Sequence, residues 1–198
     1  DFSSKVGQLW GNHFATIVEG RAHLPEIGRR CLWEGAQRIR IEEDGRACVI
    51  VVNKWDAIEK DSHTMPAMEK ELRAKLYFLD WAPMLFTSAL TGMRVTKVLD
   101  LIQTVDAQRH TRISTSHVND ALQQLIARRQ PPQAAGHEIK LNYATQVETA
   151  PPTIAVFGNN PDKLQEHYVR YLHNGFREFW GFTGNPLRII LRRKSEKQ

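Results

Sequence analysis

The sequence predicts an α/β fold in its first half and a smaller α+β unit in its second half. In residues 41–111, apolar strand-like runs alternate with helical patterns in the order of a parallel sheet. In residues 112–198 the order becomes helix, strand, strand, helix, strand, which indicates a small sheet with helices on one side. With 198 residues, of which 41% are hydrophobic and 25% charged, the chain has a globular composition and a length that allows one large domain or two small ones.

The first half begins with a stretch that carries few structural signals. Five glycines interrupt every apolar period in residues 1–40, and the pattern predicts only a helix from about Leu32 to Glu43. The uninterrupted apolar run Ala47–Val52 is typical of a strand that is buried on both faces in a parallel sheet. A helix over about Met65–Phe78 and a short strand over Met84–Thr87 follow.

An amphipathic helix completes the first half. Its apolar face is predicted from the helical spacing of Val95, Val98, Leu99, Ile102 and Val105. The strand Ala47–Val52 requires a neighbour on each side in such a sheet, so we expect it to have unpaired edges unless residues 1–40 cover them.

The second half opens with a helix that Ser114 or Thr115 can cap and that runs to about Arg129. Two strands follow. The first alternates with one buried face formed by Ile139, Leu141 and Tyr143, which Thr145 can extend, and the second is Thr153–Phe157.

A long helix and a last strand complete this half. The helix is predicted from Asn160 to about Trp180, and Gly181 ends it. Leu187, Ile189 and Leu191 then alternate in the last strand.

The net charge of +5 arises entirely in the second half. There are 15 basic and 15 acidic residues through Thr111, and 12 basic and 7 acidic residues after it. A basic excess confined to one unit favours a polyanionic partner such as RNA.

No apolar run reaches the roughly 20 residues that cross a bilayer, so no membrane partner is predicted. Cys31 and Cys48 have no metal-ligand spacing, and Ser88 has no recognisable base and acid, so neither a metal site nor a catalytic residue is assigned.

The motif with the most specific chemistry is Asn53-Lys54-Trp55-Asp56, directly after the buried strand. Loops at the carboxyl ends of parallel strands are where open α/β sheets bind ligands. The Asp56 carboxylate can accept hydrogen bonds from N1–H and the exocyclic amine of guanine, a pair of donors that adenine lacks. Asn53 can hold the loop and contact N7 of the base, and the stem of Lys54 can cover the ring. The alternative is a solvated turn, in which these residue types are common.

A second motif, Ser88-Ala89-Leu90, follows the strand Met84–Thr87, and its Ser88 lies 32 residues after Asp56. A main-chain N–H in this motif can donate to O6 of guanine, and the small Ala89 lets the main chain approach the base. The alternative is a helix cap provided by Ser88 or Thr91. Because each motif follows a strand and precedes helical sequence, we predict that both contact one guanine base.

These two motifs resemble the guanine-recognition motifs of the Era-like translation GTPases. In the second half, Lys140–Val147, Pro151–Thr153, Tyr168–Leu172 and Gly181–Ile189 are similar to the last domain of the Der (EngA) family. Members of that family have two GTPase domains in tandem, followed by a KH-like domain, and assist assembly of the large ribosomal subunit. The resemblance covers about Arg38 to Arg193.

The resemblance implies an α/β partial P-loop GTPase domain, Rossmann-like with an incomplete sheet, over residues 41–111. It implies an α+β KH-like domain over residues 112–198 and leaves residues 1–40 unassigned. The expected partners are guanine nucleotide, the large ribosomal subunit with its RNA, and the other GTPase domains of the family. The expected location is cytoplasmic and ribosome-associated, or alternatively the plastid stroma.

The sequence lacks the motifs that bind phosphate and magnesium. It contains no G-x-x-x-x-G-K-[ST], the loop whose main-chain amides bind the phosphates and whose hydroxyl binds Mg²⁺. It also contains no Asp-x-x-Gly, whose carboxylate binds the metal. We therefore expect a C-terminal part of the family pattern, or the product of a truncated or altered gene model. Such a chain should not hydrolyse GTP alone and should bind GTP or GDP weakly or not at all, with Mg²⁺ only in the complete family member.

The second half also contains candidate RNA contacts. They are the basic residues Arg188, Arg192, Arg193 and Lys194, and alternation places Arg188 and Arg192 on one face of the strand. A solvated outer face is the alternative. Gly181–Gly184 fits the letters of the Gly-x-x-Gly loop that clamps nucleic acid in KH domains, but we interpret it as a helix stop.

Two functions of different class remain open at this point. One is a GTP-binding protein of the Der type in ribosome assembly, and the other is a nucleotide-independent RNA- or protein-binding module. An unrelated α/β enzyme would need a catalytic pair that the sequence does not contain.

Overall fold

The computed structural model describes residues 14–17, 41, 44–58, 61, 63–133 and 138–193. The chain divides into two compact units, the first formed by residues 1–108 with 183–186 and the second by residues 109–182 with 187–198. The helices and strands of the first unit are β1 (Phe14–Ile17), β2 (Ala47–Val52), α1 (Thr64–Lys75), β3 (Met84–Phe86) and α2 (Val95–Arg109). Apart from Ile41, the helix predicted over Leu32–Glu43 lies outside the described residues.

Strand β2 is the centre of a parallel sheet with the order β1-β2-β3. Its residues 47–50 pair with residues 14–17 of β1, and its residues 50–52 pair with residues 84–86 of β3. Of the two expected outcomes, unpaired edges or an edge covered by residues 1–40, the second is found. The backbone of residues 14–17 provides the missing neighbour, which satisfies N–H and C=O groups that would otherwise be unpaired.

Both faces of β2 are buried, as the uninterrupted apolar run predicts. Cys48, Ile50 and Val52 pack into one apolar cluster with residues of α1, and the alternate residues of the strand pack into a second cluster with residues of α2. On α2 the buried residues are Val98, Ile102 and Val105, whereas Leu99 is 42% exposed and does not belong to the buried face.

Helix α1 ends earlier than the sequence predicts. It stops at Lys75 rather than Phe78, because the backbone of Leu76 leaves the helical region at φ −100° and ψ 38°. A single 3₁₀ turn over Tyr77–Leu79 follows. The Arg73 guanidinium donates to carbonyls beyond the helix, including that of Ala82 at 2.7 Å, and holds this turn against the helix.

The second unit contains α3 (Thr115–Arg128), β4 (Leu141–Thr149), β5 (Pro152–Gly158), α4 (Glu166–Trp180) and β6 (Arg188–Arg193). Its sheet has the order β4-β5-β6, antiparallel between β4 and β5 and parallel between β5 and β6. The predicted order of elements is confirmed, and the fold is mixed α/β with two small sheets. The core lies between one face of this sheet and residues of α3 and α4.

The two helices of the second unit begin in different ways. Ser114 caps α3, and its Oγ accepts the N–H of His117 at 3.3 Å. The prediction that the long helix opens at Asn160 is wrong, because Pro161–Lys163 forms a 3₁₀ turn and Leu164 is extended at ψ 124°. Helix α4 begins only at Glu166.

Strand β4 contains a bulge that the sequence pattern does not reveal. Leu141 pairs with Gly158 and Tyr143 pairs with Phe157, so two steps on β4 match one step on β5. The extra residue reverses the alternation, which moves Tyr143 to the outer face, where it is 42% exposed, and turns Ala144 inward. The prediction of a buried Tyr143 is therefore wrong.

Two side-chain amides complete the structure around β4. Asn119 of α3 pairs with the backbone of Ala144 through bonds of 2.9 and 3.0 Å, so it covers the free edge of the strand. The Gln146 side chain is 1% exposed, accepts the N–H of Ile113 at 2.8 Å and donates to the carbonyl of Thr111 at 3.1 Å. A buried polar group is thereby satisfied while the segment before α3 is fixed.

The segment 183–186 belongs to the first unit. The Gly184 N–H donates to the Trp81 carbonyl at 2.9 Å, and its own carbonyl accepts the N–H of Cys48 at 2.7 Å. Gly181 ends α4 with φ 72°, as predicted. The Gly-x-x-Gly letters therefore describe a helix stop followed by a glycine buried in protein.

Candidate functional site

The first loop of the site continues directly from the end of β2. Lys54 has the left-handed conformation, with φ 61° and ψ 33°, and turns the chain into a 3₁₀ turn over Trp55–Ala57. Trp55 is 4% exposed, and its ring lies 4.6 Å from that of Phe86. The Trp55 N–H donates to the Thr87 carbonyl at 3.0 Å. Backbone pairing thus extends beyond the last residues of both strands and fixes the loop.

The second loop, Ser88-Ala89-Leu90, is fixed from within. Ser88 is fully buried, and its N–H donates to the Met93 carbonyl at 3.1 Å. Its Oγ also accepts the N–H of Thr91 at 3.1 Å. This bond closes a turn within the loop and is not the helix cap that the sequence offered as an alternative, because helix α2 begins only at Val95.

Two hydrogen bonds join the loops. The Ser88 hydroxyl donates to Oδ1 of Asp56, and the Ala89 N–H donates to Oδ1 of Asn53 at 3.0 Å. The structure therefore brings four of the six predicted base-contacting residues together at the carboxyl ends of adjacent parallel strands.

The other two predicted residues, Lys54 and Leu90, differ in their exposure to solvent. Lys54 is half-buried, whereas Leu90 has 86% of its surface exposed. Leu90 directly follows Ala89, so the second loop offers an exposed apolar side chain for contact with the flat face of a ligand, while a carboxylate and an amide can form hydrogen bonds with its edge.

Two residues shape the site in addition to the six predicted from the sequence. Thr87 is 3% exposed, and its backbone joins the loops to β2 through the carbonyl to Trp55 and through its N–H to the Val52 carbonyl at 2.8 Å. Trp55 anchors the first loop. The available signal was a large aromatic residue among polar neighbours, which indicates a buried anchor in an otherwise solvated turn.

The candidate RNA contacts of the second unit have different environments. Arg188 and Arg192 pair with Thr153 and Phe157 of β5, so they share one face of the sheet, as alternation predicts. Arg192 is exposed and Arg188 is half-buried. Arg193 instead donates to the Asn159 carbonyl at 3.1 Å, and so helps to hold a loop of its own unit. Lys194 lies outside the described residues.

Neither a metal site nor a membrane segment is found in the part of the chain that the structure describes. No group of three or more His, Cys, Asp or Glu side chains there is placed to hold a metal ion. None of the helices described is both long and apolar enough to cross a bilayer. Burial raises the pKa of the Cys48 thiol to about 12, so this thiol is uncharged at neutral pH.

Comparison with known proteins agrees with this fold. Residues 112–192 match the family model of the KH-domain-like region of EngA bacterial GTPase enzymes, described as C-terminal. The second unit is thus a KH-like module of the EngA type, and it is joined to an α/β unit with two convergent loops.

Curated relatives define the family. The chain is 64% identical over 154 residues to GTPase Der of Gemmatimonas aurantiaca, covering 77% of this chain and 35% of that protein. It is 56% identical over 159 residues to GTPase Der of a Synechococcus strain, CC9605, and 53% identical to that of Prochlorococcus marinus MIT 9313, each match covering 80% of this chain and 35% of the relative. The chain belongs to the Der (EngA) family, and it spans about a third of the length of these relatives.

Proposed function

We propose that the first unit is the rear part of a P-loop GTPase domain and that its two joined loops bind the guanine base of GTP or GDP. The contacts between Asp56 and Ser88 and between Asn53 and Ala89 carry this proposal. They support the proposal because the loop with the Asp56 carboxylate and the loop with the Ala89 N–H are hydrogen-bonded to each other at two points.

Each polar group has a defined role in this proposal. Asp56 accepts N1–H and the exocyclic amine, and the Ser88 hydroxyl orients its carboxylate. The Ala89 N–H donates to O6. Because that N–H is bonded to Asn53 Oδ1, the Asn53 side chain must turn or share the donor when the base enters, and its amide then contacts N7. Lys54 and Leu90 cover the faces of the ring.

The specificity follows from the cost of unpaired polar groups. Adenine has no donor at N1 and no carbonyl at C6, so it would leave the Asp56 carboxylate and the Ala89 N–H unmatched. Leaving a buried polar group without a partner costs roughly 1–3 kcal/mol, and more when the group is charged.

We infer that this chain does not hydrolyse GTP by itself. The sequence contains no phosphate-binding loop and no Asp-x-x-Gly, so the electrostatic stabilisation that phosphoryl transfer needs is absent from it. Within a Der-type protein, the phosphates and Mg²⁺ would be held by residues outside this sequence. The corresponding role is assembly of the large ribosomal subunit in the cytoplasm, or in the plastid stroma.

Calorimetric titration with guanosine, GMP, GDP and GTP tests the base-binding site. We expect all four to bind with similar weak affinity, because only the base is read, and adenosine not to bind. Asp56→Asn replaces an acceptor by a donor. The affinity for guanosine should therefore fall about 10- to 150-fold, which is the equivalent of losing one hydrogen bond to a charged group. The same variant should bind xanthosine more tightly than the parent does, because xanthine presents a carbonyl where guanine has its amine.

Asp100→Asn is the matched control, since Asp100 is exposed on α2 and loses the same charge. Equal weakening by both variants would show a general charge effect and refute the assigned role of Asp56. Equal binding of adenosine and guanosine would refute the site.

A second function is favoured by the exposed Arg192 on the KH-like unit, namely nucleotide-independent binding of RNA. Arg188, Arg193 and Lys194 complete the basic group assigned from the sequence. Titration of labelled ribosomal RNA over a range of salt concentrations tests this function, because each phosphate contact contributes about −0.9 to the slope of log K against log salt for a duplex and about −0.7 for a single strand. Affinity that does not depend on salt would exclude it.

A further inference from the structure

The outer face of the sheet in the second unit carries a row of two aromatic side chains and an arginine. Tyr143 pairs with Phe157 across β4 and β5, and Phe157 pairs with Arg192 across β5 and β6. The residues next to Phe157 and Ala155 in the chain, Val156 and Ile154, belong to the core. Because side chains alternate along a strand, the row points away from that core.

The aromatic pair is placed for contact with a flat ligand. Tyr143 is 42% exposed, and its ring centroid lies 5.6 Å from that of Phe157 at an interplanar angle of 53°. The bulge in β4 places Tyr143 here, since regular alternation after Leu141 would have buried it. An exposed ring on a paired strand is held in position at little entropic cost, as a stacking surface requires.

The next row of the same face is small and apolar. It consists of Thr145, Ala155 and Ile190, of which Ile190 is 36% exposed and Ala155 is fully buried. These side chains carry neither a ring nor a charge, so stacking on this face is confined to the aromatic row.

Charge on this face favours a polyanion. Arg192 ends the aromatic row, and Arg188 lies on the same face four residues earlier, about 13 Å along the strand. The acidic residue of the described face, Glu148, pairs with Thr153 in the row of Arg188, and its carboxylate lies 3.5 Å from the Thr153 hydroxyl. The aromatic row is thus at the basic end of the face, away from the acid.

We propose that this row binds single-stranded RNA, with one base stacked on the Tyr143 ring and Arg192 in contact with a neighbouring phosphate. Aromatic side chains on an open sheet stack unpaired bases in single-strand RNA-binding modules, and arginine supplies the phosphate contact. A duplex keeps its base faces buried, so the surface selects single strands. The proposal rests on the RNA-binding function proposed for this unit and adds the surface and the form of RNA.

Binding of the full chain to a fluorescent single-stranded oligonucleotide, an abasic strand of equal phosphate number and a duplex tests this surface. We expect the single strand to bind most tightly. Tyr143→Leu should lower the affinity for the single strand roughly 5- to 150-fold, the range for removing one base–aromatic stack. The affinity for the abasic strand should not change. Tyr143→Phe should bind like the parent, since the ring is retained. Arg192→Gln should lower the affinity for both the single strand and the abasic strand, and reduce the magnitude of the slope of log K against log salt by about 0.7.

Two exposed residues outside this face provide matched controls. Tyr77 is 66% exposed in the first unit, and Arg170 lies on α4. The variants Tyr77→Leu and Arg170→Gln should both keep the RNA affinity of the parent chain. Circular dichroism of each variant distinguishes loss of binding from loss of fold.

The outcomes separate this proposal from the broader function. Salt-dependent RNA binding that Tyr143→Leu leaves unchanged would overturn the stacking row while retaining RNA binding by the unit. Equal affinity for duplex and single strand would also overturn it. If Tyr143→Leu changed only self-association in sedimentation experiments, the face would be a protein-docking surface. Absence of any RNA binding by the parent chain would remove both proposals.

Discussion

Gly184 is the position where one added methyl group should cost the first unit most. A Cβ on this residue would lie 2.4 and 2.6 Å from the two γ-carbons of Val105 and 3.1 Å from the Cys48 carbonyl oxygen. Its φ of +71° is also in the left-handed region that residues with a side chain rarely adopt. Gly184→Ala therefore combines backbone strain with overpacking.

The magnitude follows from these two causes. A left-handed conformation costs a residue with a Cβ about 1–2 kcal/mol, and overpacking a filled site costs about 1–3 kcal/mol. The expected loss is about 2–5 kcal/mol in the free energy of unfolding, a large part of the roughly 5–15 kcal/mol typical of a domain. The methyl group should also push the segment 183–186 away from β2 and weaken the bond from the Cys48 N–H to the Gly184 carbonyl.

Gly92→Ala is the matched control. Gly92 has nearly the same φ, +74°, but a Cβ there would meet nothing within 4 Å. Only the backbone strain of about 1–2 kcal/mol should remain. Urea unfolding followed by tryptophan fluorescence measures both losses, and hydrogen exchange of the Cys48 amide should accelerate only in Gly184→Ala. If the two variants lost equal stability and kept equal exchange, close packing of Gly184 against Val105 and Cys48 would be refuted.

Two further predictions concern ionisable groups. In a Cys31→Ser background, Cys48 should resist alkylation at pH 8 and react only on unfolding, because burial raises its pKa to about 12 and leaves almost no thiolate; rapid labelling of the native chain would contradict this. The Thr64 hydroxyl and then the N–H groups of His63 and Thr64 lower the pKa of Asp61 at the start of α1. Its stabilising effect should therefore be present above the ordinary aspartate pKa and be lost as pH falls through the lowered value. Asp61→Ala should thus lower the melting temperature at pH 7 and differ less from the parent at pH 2, and an equal difference at both pH values would exclude the ionised cap.

Local sequence predicted most of the elements because their signals are local. The apolar run of β2, the Ser114 cap and the Gly181 stop each act within a few residues. The element boundaries that were predicted wrongly depend on contacts between residues further apart in the chain. Helix α1 stops at Lys75, and the carbonyls to which Arg73 donates lie six to nine residues ahead of it.

The candidate site shows the same division. Residue types and their position after strands indicated both loops, because the chemistry of Asp56 and the small size of Ala89 can be recognised in the sequence. The bond between the Ala89 N–H and Asn53 Oδ1 joins residues 36 positions apart. It could not be predicted, since it depends on how β2 and β3 align in the sheet.

The sequence alone predicts the strands β2 to β6, the loops that carry polar groups and the part of the chain where the positive charge is concentrated. These properties depend on side-chain type, spacing and composition. The tertiary structure decided the rest. Register placed the two loops in contact, residues 14–17 paired with β2, and a bulge turned Tyr143 outward beside Phe157. Each of these outcomes depends on pairing between distant backbones, and a shift of one residue reverses the face that a side chain occupies.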